Sequence, residues 1–490
     1  MTAMGIPMTG APSSKTFWES INWKSTETQV YRLQMRIAKA YREGKQAKAK
    51  ALQWILTHSF QAKLLATKRV VQNKGGKTPG VDKIVWKTSS QKMKAALSLQ
   101  RRGYQAQPLR RIYIPKKDGR ERPLSIPTMK CRAMQALYLL ALEPIAEYKA
   151  DKNSYGFRPK RSTADAVEKC FCALAQKGSS PWILEGDIKA CFDKISHSWL
   201  KNNIPMDKKI LEKWLTAGYI DENAYHQTEE GTPQGSLISP TLLTITLSGL
   251  EDKVKNLAPQ RTGKVHVSIY ADDFIITGAT KELLEDKVKP AVESFLRERG
   301  LELSREKTKI THIDEGFDFL GFTIRKYKGK LIIKPSKKNV KSFLEKVRGT
   351  IKANSTATTE TIIRQLNPLL RGWGYYFRNV CSKKTFRDCD CQIFQAIWKW
   401  IRRRHPNKSG QWCRKKYFRT KEGRNWVFST MLHDKGGNKK NLDLFRVTSI
   451  PIMRHIKIRA EATLYDPIYN SYFKSRDRNK TRSSLKEASR

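Results

Sequence analysis

The chain has 490 residues, and its 95 Lys and Arg against 45 Asp and Glu give a formal net charge of +50. Hydrophobic residues make up 39%, enough for real cores, so wholesale disorder is excluded and the length predicts about three domains. The basic excess runs along the whole chain, and a compact protein tolerates such self-repulsion best beside a polyanion, of which nucleic acid fits best. A solvated basic surface with no partner is the bland alternative, and it is set aside at this magnitude. A membrane-surface role is disfavoured because no long basic amphipathic helix stands out.

Residues 1–16 are rich in Thr, Ser, Gly and Pro, lack the apolar core of a signal peptide and are expected to be disordered. Apolar residues recur at helical spacing at Val30, Leu33, Ile37 and Tyr41, then at Leu52, Ile55 and Leu56, which predicts helix over 26–72. Residues 75–80, Gly-Gly-Lys-Thr-Pro-Gly, read as a loop. Two short strands, Arg111–Pro115 and Arg122–Ile126, flank a Lys-Lys-Asp-Gly turn, and Ala133–Tyr148 reads as a buried helix. The stretch Trp182–Asp187 is an apolar strand ending in an acid. Gly231–Leu250 is the longest uncharged stretch, but its two prolines and many Ser and Thr argue against a membrane span. Val265–Tyr270 and Phe274–Thr277 are strands on either side of Ala271-Asp272-Asp273. Lys281–Arg299 reads as a helix kinked at Pro290 and closed by Gly300. Phe317–Arg325 and Lys330–Ile333 form a hairpin around Lys328-Gly329, and the pattern is mainly helical from about residue 336. Asn407–Gly423 and Asp434–Asn441 read as loops, and the final dozen residues as disordered. The eight cysteines include no Cys-x-x-Cys pair. Cys170/Cys172 and Cys389/Cys391 have poor zinc spacing, so free thiols in a reducing compartment are expected. The fold class expected is α+β, a strand-bearing middle between helical modules.

Asp187 and the Asp272-Asp273 pair lie 85 residues apart, each at or beside the end of an apolar strand. Pairing those strands would cluster three acids on one edge, which is costly unless a cation neutralises them. Mg²⁺ takes one or two carboxylates and keeps other positions for water and phosphate, and a two-ion site suits in-line displacement at a nucleotide α-phosphate. An isolated Asp-Asp is more often a polar hairpin tip. Tyr270-Ala-Asp-Asp-Phe274 between apolar strands is rarer, and it resembles the catalytic signature of reverse transcriptases.

Further segments resemble the group II intron-encoded members of that family, in order: Arg122-Pro-Leu-Ser-Ile-Pro127, Asn153-Ser-Tyr-Gly-Phe-Arg-Pro159, Gly231-Thr-Pro-Gln-Gly-Ser-Leu-Ile-Ser-Pro240, Gly300-Leu-Glu-Leu-Ser-Arg-Glu-Lys-Thr308, Phe319-Leu-Gly-Phe322 and Arg371-Gly-Trp-Gly-Tyr-Tyr376. The resemblance runs from about residue 25 to residue 476 and departs at Ser236, where the family usually has a second Gly. It implies a right-hand polymerase of fingers and palm, followed by a helical thumb and a basic C-terminal domain. The implied division is an N-terminal extension over 17–75, fingers and palm over 76–335, a thumb or maturase domain over 336–400 and a DNA-binding domain over 401–490. The last segment carries 24 Lys and Arg against 7 Asp and Glu. No His-Asn-His endonuclease module is visible, so a primer from elsewhere, such as a replication fork, is expected.

The resemblance implies that Asp187, Asp272 and Asp273 are catalytic and hold two Mg²⁺ ions, with Mn²⁺ as a substitute. Phe192, five residues after Asp187, is implied as the ring that fills the space of a ribose 2′-hydroxyl and selects dNTPs. Lys116 and Arg122 flank the basic turn and are implied to bind the triphosphate, a role to weigh against contact with template backbone alone. Gln234, in a Pro-Gln-Gly turn, is implied to contact the incoming dNTP, and Lys307 to stand near the pyrophosphate as a general acid. His197 is left as a structural residue. The aromatic run at 372–377 could stack bases, but core packing is preferred for Trp373 and Tyr376.

The function expected is an RNA-directed DNA polymerase, a nucleotidyltransferase that is also a maturase. It would bind group II intron RNA, assist splicing and copy the intron into cDNA at target DNA during intron homing. Its partners would be intron RNA, an RNA template with a DNA primer, target DNA and dNTPs, with no membrane, in a bacterial cytoplasm or an organelle. The alternatives are a splicing-only RNA-binding maturase and a domesticated reverse transcriptase in host defence or repair. An RNA-dependent RNA polymerase is disfavoured by Phe192.

Overall fold

The computed structural model describes residues 14–115, 119, 121–433 and 439–478. Lys116 lies outside the described residues, as do residues 1–13 and the final dozen.

Three consecutive helices, Trp23–Arg42, Gln46–His58 and Phe60–Gln72, occupy the stretch read as helical. The Asn22 side chain accepts from the Ser25 N–H and starts the first, and Ser59 accepts from Ala62 N–H and starts the third. Val30, Ile37, Leu52 and Leu56 bury their faces, whereas Ile55 is 45% exposed and lies off that stripe. These helices pack around the helix Met129–Lys149, which is buried on nearly every side.

Among the described residues the strands fall into four sheets. Strands β1 (Leu109–Pro115) and β2 (Glu121–Ile126) form the basic hairpin. After β3 (Trp182–Asp187), strands β4 (Tyr219–Asp221) and β5 (Ala224–His226) extend that hairpin in the order β2-β1-β4-β5. The central sheet adds β6 (Val267–Tyr270), β7 (Asp273–Gly278) and β8 (Lys309–His312) to β3 in the antiparallel order β6-β7-β3-β8. Strands β9 (Phe317–Phe319), β10 (Phe322–Tyr327) and β11 (Lys330–Pro335) form a third sheet. Strands β12 (Phe418–Lys421), β13 (Arg424–His433) and β14 (Lys439–Asp443) form the fourth.

The central sheet separates two cores. Alternation along β3 and β7 sends Leu184 and Ile276 into the core shared with the N-terminal helices. Ile183 and Ile275 go to the opposite core, which continues through the helices Lys337–Ala353, Thr359–Phe377 and Lys383–Arg404 to Phe473.

Four segments differ from the sequence reading, the first being the loop expected over Asp434–Asn441, whose described residues Lys439–Asn441 belong to β14 and pair with β13. The single strand expected over Phe317–Arg325 is two, because Leu320 and Gly321 take positive φ of 51° and 82° and turn the chain between β9 and β10. The expected kink at Pro290 is a π-helical stretch, Leu283–Val288, that runs without a break into the helix Lys289–Arg297, and the widened turn accommodates a residue with no N–H donor. The expected loop over Asn407–Gly423 holds the helix Gly410–Tyr417 and β12, because Cys413, Tyr417 and Phe418 are buried in the second core. All eight cysteines are free.

Candidate active site

Strand pairing brings the three acids together. Asp187 ends β3 directly opposite Asp273, the first residue of β7, and Asp272 precedes it in the turn. Ala271 makes that turn possible with a positive φ of 59°. Burial, then the charges of Asp272 and Asp187, raise the Asp273 carboxyl to about 7. Burial and Asp187 also raise Asp272, while the charges of Lys307 and Arg122 pull it back. The neighbouring Cys191 thiol is pushed well up by burial and by Asp272 and Asp187. The cluster therefore holds more negative charge than its surroundings neutralise, the condition a cation-binding site requires.

Lys307 answers part of that deficit. Its Nζ donates to both oxygens of Asp187, at 2.9 and 3.0 Å. Among the described residues no three His, Cys, Asp or Glu side chains form a ready-made metal cage, and Asp187 is engaged with this ammonium. The donor set, three carboxylates on one edge, fits a hard divalent cation.

The turn is braced from behind. Tyr155 N–H donates to Ile269 O and Ile269 N–H to Asn153 O, both at 2.9 Å. Asn153 is held in turn by Glu251, through its backbone N–H at 2.9 Å and its side-chain amide at 2.5 Å. Gly156 lies so close to the turn that an added Cβ would be 2.3 Å from the Ala271 nitrogen. On the other strand, a Cβ on Gly186 would be 2.1 Å from the Phe274 ring. Two residues of the Asn153–Pro159 segment, Asn153 and Gly156, thus position the acids, a role that sequence reading missed. The signal was the glycine inside that motif, a residue that close approach of two backbones can require.

Phe192 is half-buried at the rim of the first core, and the Phe157 ring stands edge-on to it at 6.1 Å. Phe157 is 50% exposed and has a positive φ of 59°, a strained conformation for a bulky residue. Thr232 N–H donates to Phe192 O at 2.6 Å, which fastens the Gly-Thr-Pro-Gln-Gly block beside that ring. The Gln234 side chain donates from Nε2 to Asp193 Oδ2 at 2.9 Å. Arg122, on β2 opposite Ile114, is exposed, and its charge reaches Asp272. At the departure from the family pattern, the Ser236 hydroxyl donates to Gln135 Oε1 at 2.9 Å, so the larger side chain has a partner. His197 lies near the Gly231 carbonyl at 2.8 Å, and Trp373 stacks on Phe343 at 4.2 Å.

Three family models match the chain in order. They are the N-terminal domain of reverse transcriptase over 18–99, reverse transcriptase (RNA-dependent DNA polymerase) over 114–324, and the group II intron, maturase-specific domain over 340–418. Protein YkfC of Escherichia coli (strain K12) is 32% identical over 300 residues, covering 52% of this chain and 78% of that protein. The group II intron-encoded protein LtrA of Lactococcus lactis subsp. cremoris is 32% identical over 330 residues, covering 53% of this chain and 54% of LtrA. The chain belongs to the group II intron-encoded reverse transcriptases. It spans about half the length of LtrA, and a 91 kDa protein of the Schizosaccharomyces pombe cob intron is 40% identical over 166 residues, 33% of this chain and 20% of that protein. The reverse transcriptase model covers all three clustered acids together with Phe192, Gln234 and Lys307, and the maturase-specific model begins within the helix Lys337–Ala353.

Proposed function

We propose that the chain is an RNA-directed DNA polymerase that also binds a group II intron RNA, assists its splicing and copies it into cDNA. The observation that carries this reading is the convergence of Asp187, Asp272 and Asp273 on one edge of the central sheet, where the charge of Arg122 on the basic hairpin reaches Asp272. Those three carboxylates would hold two Mg²⁺ ions, with Mn²⁺ as a substitute, and the ions when bound supply the positive charge that in-line phosphoryl displacement needs. Arg122 would fork onto the triphosphate as the hairpin closes. Phe192 would exclude a ribose 2′-hydroxyl, and Gln234 would hydrogen-bond the sugar or base. Lys307, already at the acids, would donate a proton from Nζ to the leaving pyrophosphate. Lys116, six residues before Arg122 in the sequence, is proposed for the triphosphate from that place alone.

The module boundaries proposed are an N-terminal extension over 17–75, fingers and palm over 76–335, thumb over 336–400 and DNA-binding domain over 401–490. The helix Lys383–Arg404 crosses the last of these boundaries. The partners are the intron RNA, an RNA template with DNA primer, target DNA and dNTPs. No described helix is long and apolar enough to cross a membrane.

Splicing and copying are expected to separate. With the intron RNA, Asp272→Ala should still stimulate splicing while making no cDNA. A variant that loses both, while still folded and bound to RNA, would contradict a maturase function independent of the polymerase site.

A further inference from the structure

We propose that Asp193 is a positioning residue that fixes the Gln234 amide in one orientation toward the incoming nucleotide, a role that rests on the polymerase function proposed above. Gln234 Nε2 donates to Asp193 Oδ2 at 2.9 Å. A carboxylate only accepts, so this bond decides which end of the amide is which. The nitrogen faces Asp193, and Oε1, an acceptor, is the end turned away from it. An acceptor there suits a sugar hydroxyl, which has a proton to donate.

Both partners are held by their backbones. Asp193 N–H donates to Ala190 O at 2.8 Å, across a turn in which Ala190 has a φ of 45°. Gly231 N–H donates to Ile195 O at 2.8 Å, and Thr232 N–H to Phe192 O at 2.6 Å. The approach is so close that a Cβ on Gly231, already at a φ of +81°, would be 2.5 Å from the Asp193 carbonyl oxygen. On its far side, Gln234 O accepts from Ser125 N–H of β2 at 2.7 Å. Gln234 is thus pinned between the basic hairpin and the segment carrying Phe192, and its amide alone retains a torsional choice, which Asp193 removes. Without Asp193 the amide can rotate and offer its NH₂ where an acceptor is wanted.

The test is single-nucleotide incorporation on an RNA template by the full chain, as wild type, Asp193→Ala, Asp193→Asn, Gln234→Ala and the double variant Asp193→Ala/Gln234→Ala. Asp193→Ala is expected to raise KM for dNTP about tenfold, the size of one well-placed hydrogen bond, with kcat within about twofold. It is also expected to narrow the preference for dNTP over the 2′,3′-dideoxy analogue. Asp193→Asn offers a donor as well as an acceptor, so it holds the amide without deciding which end faces it and should recover only part of the loss. In the Gln234→Ala background, removing Asp193 should add nothing. Thermal unfolding checks the fold, and Asp193→Ser replaces the alanine variant should that unfold. Effects that multiply in the double variant, or a fall in kcat with KM unchanged, overturn the role of Asp193 while leaving the polymerase intact. A wild-type chain that incorporates no nucleotide overturns the polymerase function and this role with it.

Discussion

Single residues set the chemistry here through how little space and how few counter-charges they are given. Asp273 stands at about 7 because it is buried beside two other carboxylates. Phe192 follows Asp187 by one short turn and is fastened to Thr232. Phe192→Ala should open room for a 2′-hydroxyl and lower dNTP-over-rNTP discrimination by about a hundredfold, measured as the ratio of kcat/KM values. Unchanged discrimination would remove the ring from the sugar site. Gly156 makes the sharpest steric prediction. A Cβ there meets backbone, which cannot rotate away, so Gly156→Ala should displace the Ala271-Asp272 turn and cut incorporation at least about tenfold. Gly349 meets nothing within 4 Å inside the helix Lys337–Ala353, so Gly349→Ala is a matched control expected to stabilise by about 0.5–1 kcal/mol.

At the scale of elements, the parts legible in the sequence were those whose pattern is local. β3 was readable to the residue because the apolar run Trp182-Ile-Leu184 leads on to an acid at Asp187, and the turn at Asp272 because strands flank it on both sides. The π-helical stretch before Pro290 was not readable, since its apolar spacing matches an α-helix. Nor was β12, whose Arg-Thr-Lys looks like loop and becomes strand only because Phe418 reaches the second core. The hydrogen bond between Asp193 and Gln234 was illegible for a different reason: it joins residues 41 positions apart by side-chain geometry that no periodicity encodes. Another such link is Asp165, on the helix Thr163–Leu174. Burial opposes its charge, yet hydrogen bonds from His455, the Ile458 N–H and Ser162 outweigh it and lower the carboxyl to about 2. Arg476 adds a contact at 3.0 Å. Its stabilising contribution should be full above about pH 4 and fade as pH falls toward 2. Asp165→Asn leaves Arg476 without its anion and should cost about 3 kcal/mol, read from denaturant unfolding at neutral pH. A cost under about 0.5 kcal/mol would show that the C-terminal segment does not depend on this carboxylate.

The molecule as a whole is closed by its own last described segment. Tyr465 hydroxyl donates to Glu143 at 2.7 Å, Arg42 pairs with Asp466, and Arg161 donates to the carbonyls of Ala460 and Ala462. Residues 455–476 thereby tie the N-terminal helices, the central helix Met129–Lys149 and the second core into one body. Removing everything beyond residue 454 should lower the Tm of the polymerase module itself, and not only weaken nucleic-acid binding. An unchanged Tm would show the tail to be an appendage. The charge of +50 belongs to this scale too. If the chain neutralises about 6–10 phosphates, its affinity for intron RNA should fall about a thousandfold or more between roughly 50 and 200 mM salt, and a flat salt response would contradict a basic RNA-binding surface. The most direct measurement remains single-turnover extension of a DNA primer on an RNA template with Mg²⁺ and one dNTP. Wild type is expected to add the templated nucleotide, and Asp272→Ala to be slower by about a thousandfold or more while equally folded. A wild type that adds nothing, or an Asp272→Ala that extends as fast, would contradict the assignment of these carboxylates to nucleotide transfer.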